Sequence, residues 1–419
     1  MDNLLTMEEK NKLFSKDNKT FCVFPFLHLY VSSSGDVLLC CVFSNHNEFQ
    51  EKLGNINDNS IEEILNGEQY KEIRRKMING ELIKGCEYCY NYEKSSDQSI
   101  RNSSNIRFNE TFLNEIQCHH NGSLDKIIIK YIDIRFSNIC NLKCRTCCSY
   151  SSSSWFSDSK KLGITPIQNS PIIRASKDNA TFLSLLKLFN KDVCEIYFAG
   201  GEPLIMEEHY QILNRLIESE NTELRIRYNT NFSTLKYKNY KILELWKKFK
   251  NVILCVSLDG MEKRGELLRS GLKWDQVIEN RISLMRECPH VNFILNPTVS
   301  IMNVFHIPDF YYNWIEKGFL IPGNMHFNIL QVSDFYSIQC LPKKLKEKVE
   351  KLYYQVFCIK EDRKYWYDQV IEYMNHEDKS ELLPNFLHYT KRLDLIRKEN
   401  FFSTFPELKE IQNDNQFEK

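Results

Sequence analysis

From residue 126 onward, short apolar runs alternate with longer stretches whose apolar positions recur every three or four residues. The runs at 127–136, 195–198, 224–228, 252–258, 291–299 and 325–331 have the length and composition of strands. The stretches at 181–190, 207–219, 237–249, 274–286, 307–317 and 342–357 read as amphipathic helices. Alternation with this period predicts right-handed parallel βαβ units, a sheet covered by helices. About 220 residues hold six such units, short of the ~250 of an eight-unit barrel. The predicted fold class is α/β, a partial (β/α)6 TIM-like barrel preceded by a small α+β module.

That module is read from a different pattern. Residues 21–31 and 37–43 are apolar runs on either side of Ser32-Ser33-Ser34-Gly35-Asp36, which predicts a β-hairpin. A short helix follows, capped by Ser60 with Glu63 at the reciprocal position, and a second one at 69–79 ends at Gly80. The chain then reaches the knuckle Cys86-Glu87-Tyr88-Cys89. Residues 91–125 are rich in Asn, Ser, Asp and His and read as a linker, with Cys118, His119 and His120 as surface residues. The predicted division is a terminal segment 1–20, a module 21–92, a linker 93–125, the barrel 126–360 and a helical tail 361–419. In the tail, Leu393, Ile396 and Phe401 form a stripe that reads as core.

Charge and composition narrow the partners. Lysine plus arginine equals aspartate plus glutamate at 55 each, so no overall field favours nucleic acid or an anionic membrane. The start has no basic segment followed by an apolar core, and no apolar span is long enough to cross a bilayer, so the expected localisation is cytoplasmic. Fifteen cysteines in a chain of 419 residues without such a leader point to reduced thiols and metal ligation. Cys194, Cys255, Cys288, Cys340 and Cys358 stand singly and read as small buried hydrophobes.

Three cysteines do not stand singly. Cys140, Cys144 and Cys147 follow the first barrel strand in the order Cys-x-x-x-Cys-x-x-Cys. A tetrahedral zinc or an all-cysteine cubane wants four protein ligands, so three thiolates either borrow a fourth, with Cys148 at hand, or keep one position open for chemistry. After the second strand stands Gly200-Gly201-Glu202-Pro203, where glycines let backbone approach a ligand and a carboxylate suits an ammonium. An ordinary glycine turn is the plainer alternative. The third and fourth strands end at Asn229-Thr230-Asn231 and Ser257-Leu258-Asp259-Gly260, and Arg269 follows; these also fit solvated polar strand ends.

The triad, the Gly-Gly-Glu-Pro turn and the Thr-Asn and Ser-x-Asp-Gly strand ends resemble the radical S-adenosylmethionine superfamily. One departure is Thr146, where the superfamily often has an aromatic residue. The resemblance implies that Cys140, Cys144 and Cys147 hold a [4Fe-4S] cluster whose fourth iron is chelated by S-adenosylmethionine. It implies that Gly200, Gly201, Glu202 and Pro203 receive the cofactor's amino group. Asn231, Ser257 and Asp259 would reach its carboxylate or ribose, and Arg269 its carboxylate or an acidic substrate group. Such enzymes release a 5'-deoxyadenosyl radical that takes hydrogen from a substrate, and take their electron from a donor such as a flavodoxin or ferredoxin.

The N-terminal order, a cysteine, a hairpin, Cys-Cys, Gly-Asn-Ile, a helix and Cys-x-x-Cys, resembles the SPASM and twitch modules of that superfamily, here placed before the barrel. The resemblance implies an auxiliary [4Fe-4S] cluster on Cys22, Cys40, Cys86 and Cys89, with Cys41 as the alternative to Cys40. Neighbouring strand residues point to opposite faces, so Cys40 and Cys41 are not expected on one cluster. A zinc knuckle on the same thiolates stays open, as does a non-catalytic zinc or iron-sulfur scaffold for a protein partner. The substrate expected is a small molecule or carbohydrate before a peptide, since no peptide-clamp domain precedes the cluster module.

Overall fold

The computed structural model describes residues 3–15, 17–43, 52–94, 99–166, 169–331, 333–360 and 363–413; the last residues of the expected tail, 414–419, lie outside these. The chain is α/β with mostly parallel strands and divides into two compact units. One comprises residues 1–138, 173–227 and 248–251; the other comprises 139–172, 228–247 and 252–419. No helix among the described residues is long and apolar enough to cross a membrane.

In the first unit, the strand Tyr131–Ile134 lies parallel between His28–Val31 and Glu195–Phe198, with Tyr30, Asp133 and Tyr197 in register. Asp36–Leu38 and then Gly54–Asn55 continue this sheet antiparallel. The hairpin expected to form a separate module is therefore built into the sheet: a hairpin alone is marginal in water, and an unpaired strand edge invites pairing. The first apolar run is not all strand. Phe24–Leu27 is a helical turn with Pro25 near its start, where the missing N–H costs nothing.

Alternation sorts the two faces of this sheet. Leu29, Val31, Ile132, Ile134, Ile196 and Phe198 are fully buried on one side. His28, Tyr30, Tyr131, Asp133, Glu195 and Tyr197 point the other way. The segment expected as a linker contains a helix, Ile100–Glu115, whose Phe112 is fully buried and meets Phe14, Phe21 and Phe26 edge-on. Aromatic edge contacts at a few positions hold it, rather than a continuous apolar stripe. Cys118, expected on the surface, is buried, whereas His119 and His120 pair with Asp125 and Glu9 near the surface.

His28 is buried with its Nδ1 3.0 Å from Leu39 O, and burial pushes the imidazole down to about 3; burial does the same to His209. Both pKa values fall below the unfolded value near 6.5, so the unfolded chain binds the extra protons. Stability is full above about pH 6.5 and falls toward pH 3, by roughly 1.4 kcal/mol per pH unit for each imidazole. Denaturant titrations across that range check it, and His28→Gln should flatten the slope.

In the second unit, Asn251–Val256 and Asn292–Leu295 pair in parallel, as do Thr298–Val299 and Asn328–Ile329, so the sixth expected strand shortens to two residues. The helices Trp274–Glu287, Ile307–Glu316 and Lys343–Tyr353 fall where the periodicity predicts them. Past residue 363 come Lys364–His376 and Leu383–Arg397. Of the single cysteines, Cys255, Cys288 and Cys340 are buried; Cys358 is half-buried and Cys194 is exposed, a departure from the expected core role.

Candidate active site

Cys140, Cys144 and Cys147 lie on a loop with almost no regular structure of its own, so side chains downstream hold its backbone. Ser154 donates to Cys140 O (2.7 Å), Ser152 donates to Leu142 O (2.7 Å), and Trp155 Nε1 donates to Cys144 O (2.7 Å). Cys147 N closes a turn onto Cys144 O at 3.0 Å. Lys143–Cys144 pairs antiparallel with Arg269–Ser270, and this places Arg269 Nη1 3.5 Å from Cys144 Sγ.

Arg269 is held in turn by Asp259, whose carboxylate takes Nη2 at 3.0 Å and also accepts from Thr298 N at 2.8 Å. Asn303 Nδ2 donates to Asp259 O at 2.9 Å and fixes that strand end. Asn231 Nδ2 reaches Asn141 Oδ1 at 3.0 Å and lies 3.8 Å from Cys140 Sγ. The structure thus gathers the triad, Asn231, Asp259 and Arg269. Ser257, the residue after Asn251–Val256, donates its backbone N–H to Thr230 O. Cys148 is exposed, its Sγ 3.9 Å from Ser151 Oγ.

Cys144 and Cys147 share a hydrogen bond that splits their acidities. That bond, helped by Arg269, draws Cys144 down to about 7, while the same bond and burial drive Cys147 well up. The Arg269 guanidinium beside Cys144 favours the thiolate, the form that ligates a metal.

A wall that sequence reasoning missed stands behind this loop. Arg145, between two of the cysteines, is fully buried and reaches Asp394 and Glu399, the latter at 2.6 Å. Arg397 meets Asp158 at 2.9 Å and lies over the Trp155 ring. Trp155, Leu162 and Leu393 form a buried cluster against which Cys147, Tyr389 and Ile396 pack. The tail stripe is core, as expected, and the core it forms belongs to the cysteine loop. The run Ser149 to Ser154 was the available signal, since serines in series offer backbone-binding hydroxyls.

In the first unit, the Gly-Gly-Glu-Pro turn follows Glu195–Phe198 after Ala199. Gly200 has φ +108°, and a Cβ there would sit 2.9 Å from Ser137 O, so only glycine fits. Gly201 N donates to that same oxygen at 3.0 Å. Glu202 is buried and caps the turn at Pro203–Ile205, Oε1 accepting from Leu204 N at 3.0 Å.

Also in the first unit, Cys22, Cys40, Cys86 and Cys89 line one cavity, with Phe24, Leu39, Met77 and Ile100 among its apolar walls. Cys41 does not line it and lies in the field of Asp133 and Arg135. Burial raises Cys22 to about 12 and lifts Cys40, Cys86 and Cys89 as well. Arg101, the cation on this wall, is already paired with Glu93. Four thiols in an apolar pocket need an added positive charge to ionise, which fits an iron-sulfur cluster. Among the described residues, no three His, Cys, Asp or Glu side chains are grouped to hold a single metal ion.

Residues 22–90 match SPASM, an iron-sulfur cluster-binding domain, and residues 134–305 match the radical SAM superfamily. No curated protein matches the chain. Similar solved structures include native anSMEcpe with bound AdoMet, at 18% identity and TM-score 0.39 over 55% of this chain and 61% of that one. Another is Streptococcus suis SuiB bound to precursor peptide SuiA, at 15% identity and TM-score 0.36 over 79% and 69%. The chain thus spans about three fifths of the length of anSMEcpe. The cofactors that go with the two matched domains are a [4Fe-4S] cluster, S-adenosylmethionine and an auxiliary iron-sulfur cluster. Both thiol sites lie inside the matched segments, a SPASM domain over residues 22–90 and, after it, a radical SAM domain over residues 134–305.

Proposed function

We propose that this protein is a radical SAM enzyme that reductively cleaves S-adenosylmethionine and abstracts hydrogen from a substrate. The observation that carries the reading is the loop on which Cys144 bonds Cys147 and faces Arg269, with Cys140 in the field of Cys147. The [4Fe-4S] cluster with S-adenosylmethionine supplies the 5'-deoxyadenosyl radical. In this reading Cys140, Cys144 and Cys147 are the ligands of that cluster, and Gly200, Gly201, Glu202 and Pro203 receive the methionine end of the cofactor. Asp259 orients Arg269, whose guanidinium offsets thiolate charge, and Asn231 steadies the Cys140 side of the loop.

Cys22, Cys40, Cys86 and Cys89 are the ligands proposed for the auxiliary cluster, with Cys40 favoured over Cys41 because it lines the cavity. The electron comes from a flavodoxin or ferredoxin, and a reducing compartment, the cytoplasm, suits fifteen free thiols. The test is anaerobic purification followed by iron and sulfide analysis. About eight irons per chain are expected for two cubanes, with 5'-deoxyadenosine released on reduction. Zinc without sulfide would overturn the reading in favour of a scaffold.

A further inference from the structure

Barrel interiors are normally filled by branched apolar side chains. The face of the first unit's sheet opposite its apolar layer is different. Tyr30, Asp133 and Tyr197 form one row across three strands, with Tyr131 and Glu195 in the row before it. Arg135 extends from the same side, its guanidinium over the Tyr30 ring, and Arg227 lies over the Tyr197 ring. Glu195 is buried and met by Arg107 at 3.2 Å and by Arg225 and Arg227 at 3.8 Å each. Among the described residues here four guanidiniums thus face two carboxylates, an excess of positive charge on a largely buried face.

Two of these groups are incompletely satisfied. Asp133 is buried, and its Oδ1 has no hydrogen-bond partner; it lies 3.7 Å from Arg135 Nε, which has none either. Burial pushes Asp133 up to about 6, against the opposing pull of the Arg135 and Arg227 charges. Leaving a buried carboxylate oxygen without a donor beside a part-buried guanidinium is costly for a purely structural pair. A ligand group that donates to Asp133 and accepts from Arg135 would satisfy both. The Cys41 thiol lies in the field of this pair, while its neighbour Cys40 lines the auxiliary thiol cavity.

We infer that this face is the substrate site, and that it takes a small anionic molecule bearing hydroxyl groups, such as an acidic or phosphorylated sugar. Arg135 and Arg227 meet the phosphate or carboxylate, Asp133 accepts from a hydroxyl, and the tyrosine rings flank the carbon skeleton. The assignment of a substrate rests on the enzymatic reading above; the binding itself does not.

The experiment is anaerobic calorimetric titration of the full chain holding its clusters, with D-glucose 6-phosphate, D-glucuronate and neutral D-glucose as probes. At least one anionic sugar should bind ten times or more tighter than glucose. Arg135→Gln should weaken that binding at least tenfold, Arg135→Lys less, and melting curves should show each variant folded. If Arg135→Gln does not fold, Arg227→Gln carries the same expectation. Binding should persist when Cys140, Cys144 and Cys147 are all alanine, so a failure of the radical chemistry and a failure of this site read out separately. Equal binding of glucose and the anions, no binding, or affinity indifferent to both arginines would overturn the proposal. So would a basic peptide that binds in place of the sugars with the same dependence on Asp133.

Discussion

Cys144→Ala should abolish the proposed 5'-deoxyadenosine formation and lower the expected iron content from about eight to about four per chain. The argument is local. Cys144 is the member of the triad drawn toward ionisation, by the Cys147 hydrogen bond and by Arg269. Its carbonyl is fixed by Trp155. Alanine removes the thiolate while leaving those backbone contacts, so the loop keeps its shape and loses its cluster. Cys89→Ala should behave differently: about four irons again, but with cofactor cleavage retained, because its site lies among other residues. Anaerobic iron analysis and chromatography of the products after dithionite reduction separate the two. A Cys144→Ala protein that still makes 5'-deoxyadenosine at the wild-type level would remove the triad from the chemistry.

Arg145→Ala should cost about 3 to 5 kcal/mol of stability, the range for breaking a buried ion pair by deleting one partner. Arg145 has no exposed side-chain surface and lies 5.5 Å from the Phe401 ring as well as on Asp394 and Glu399. Its removal leaves two carboxylates facing each other in a mostly buried space. Arg145→Lys restores the charge without the planar fork and should recover part of the loss. Chemical denaturation of the three proteins measures it; a change under about 1 kcal/mol for alanine would show that the pair is only a surface contact.

The candidate residues were legible because the residue types able to hold a metal or a cofactor come at constrained spacings. Three thiols at fixed spacing, two glycines before a carboxylate and polar residues at strand ends survive as local patterns, and so does the alternation of strands and helices. The supports around them were not legible, for a physical reason. Arg145 reads as an ordinary surface arginine until Asp394 and Glu399 arrive from 249 and 254 residues away. The helix Ile100–Glu115 escaped because its buried face includes Arg101 and Ser104 beside Phe108 and Phe112, which blurs the apolar period. The hairpin's place in the sheet escaped because pairing between His28–Val31 and Tyr131–Ile134 is a choice among free edges that neither segment announces.

The wall behind the triad loop has a consequence for biosynthesis. All four N-terminal cavity thiols have been translated by Cys89, but the arginine that grips Asp158 beside the triad comes 239 residues after it. A ribosome that has just finished the cysteine loop has made none of Tyr389, Leu393 or Arg397, and the loop waits unbacked in the growing chain. Assembly of the cluster proposed for it would thereby be tied to late synthesis, and a premature stop before Leu383 would leave the triad intact in sequence yet without its wall.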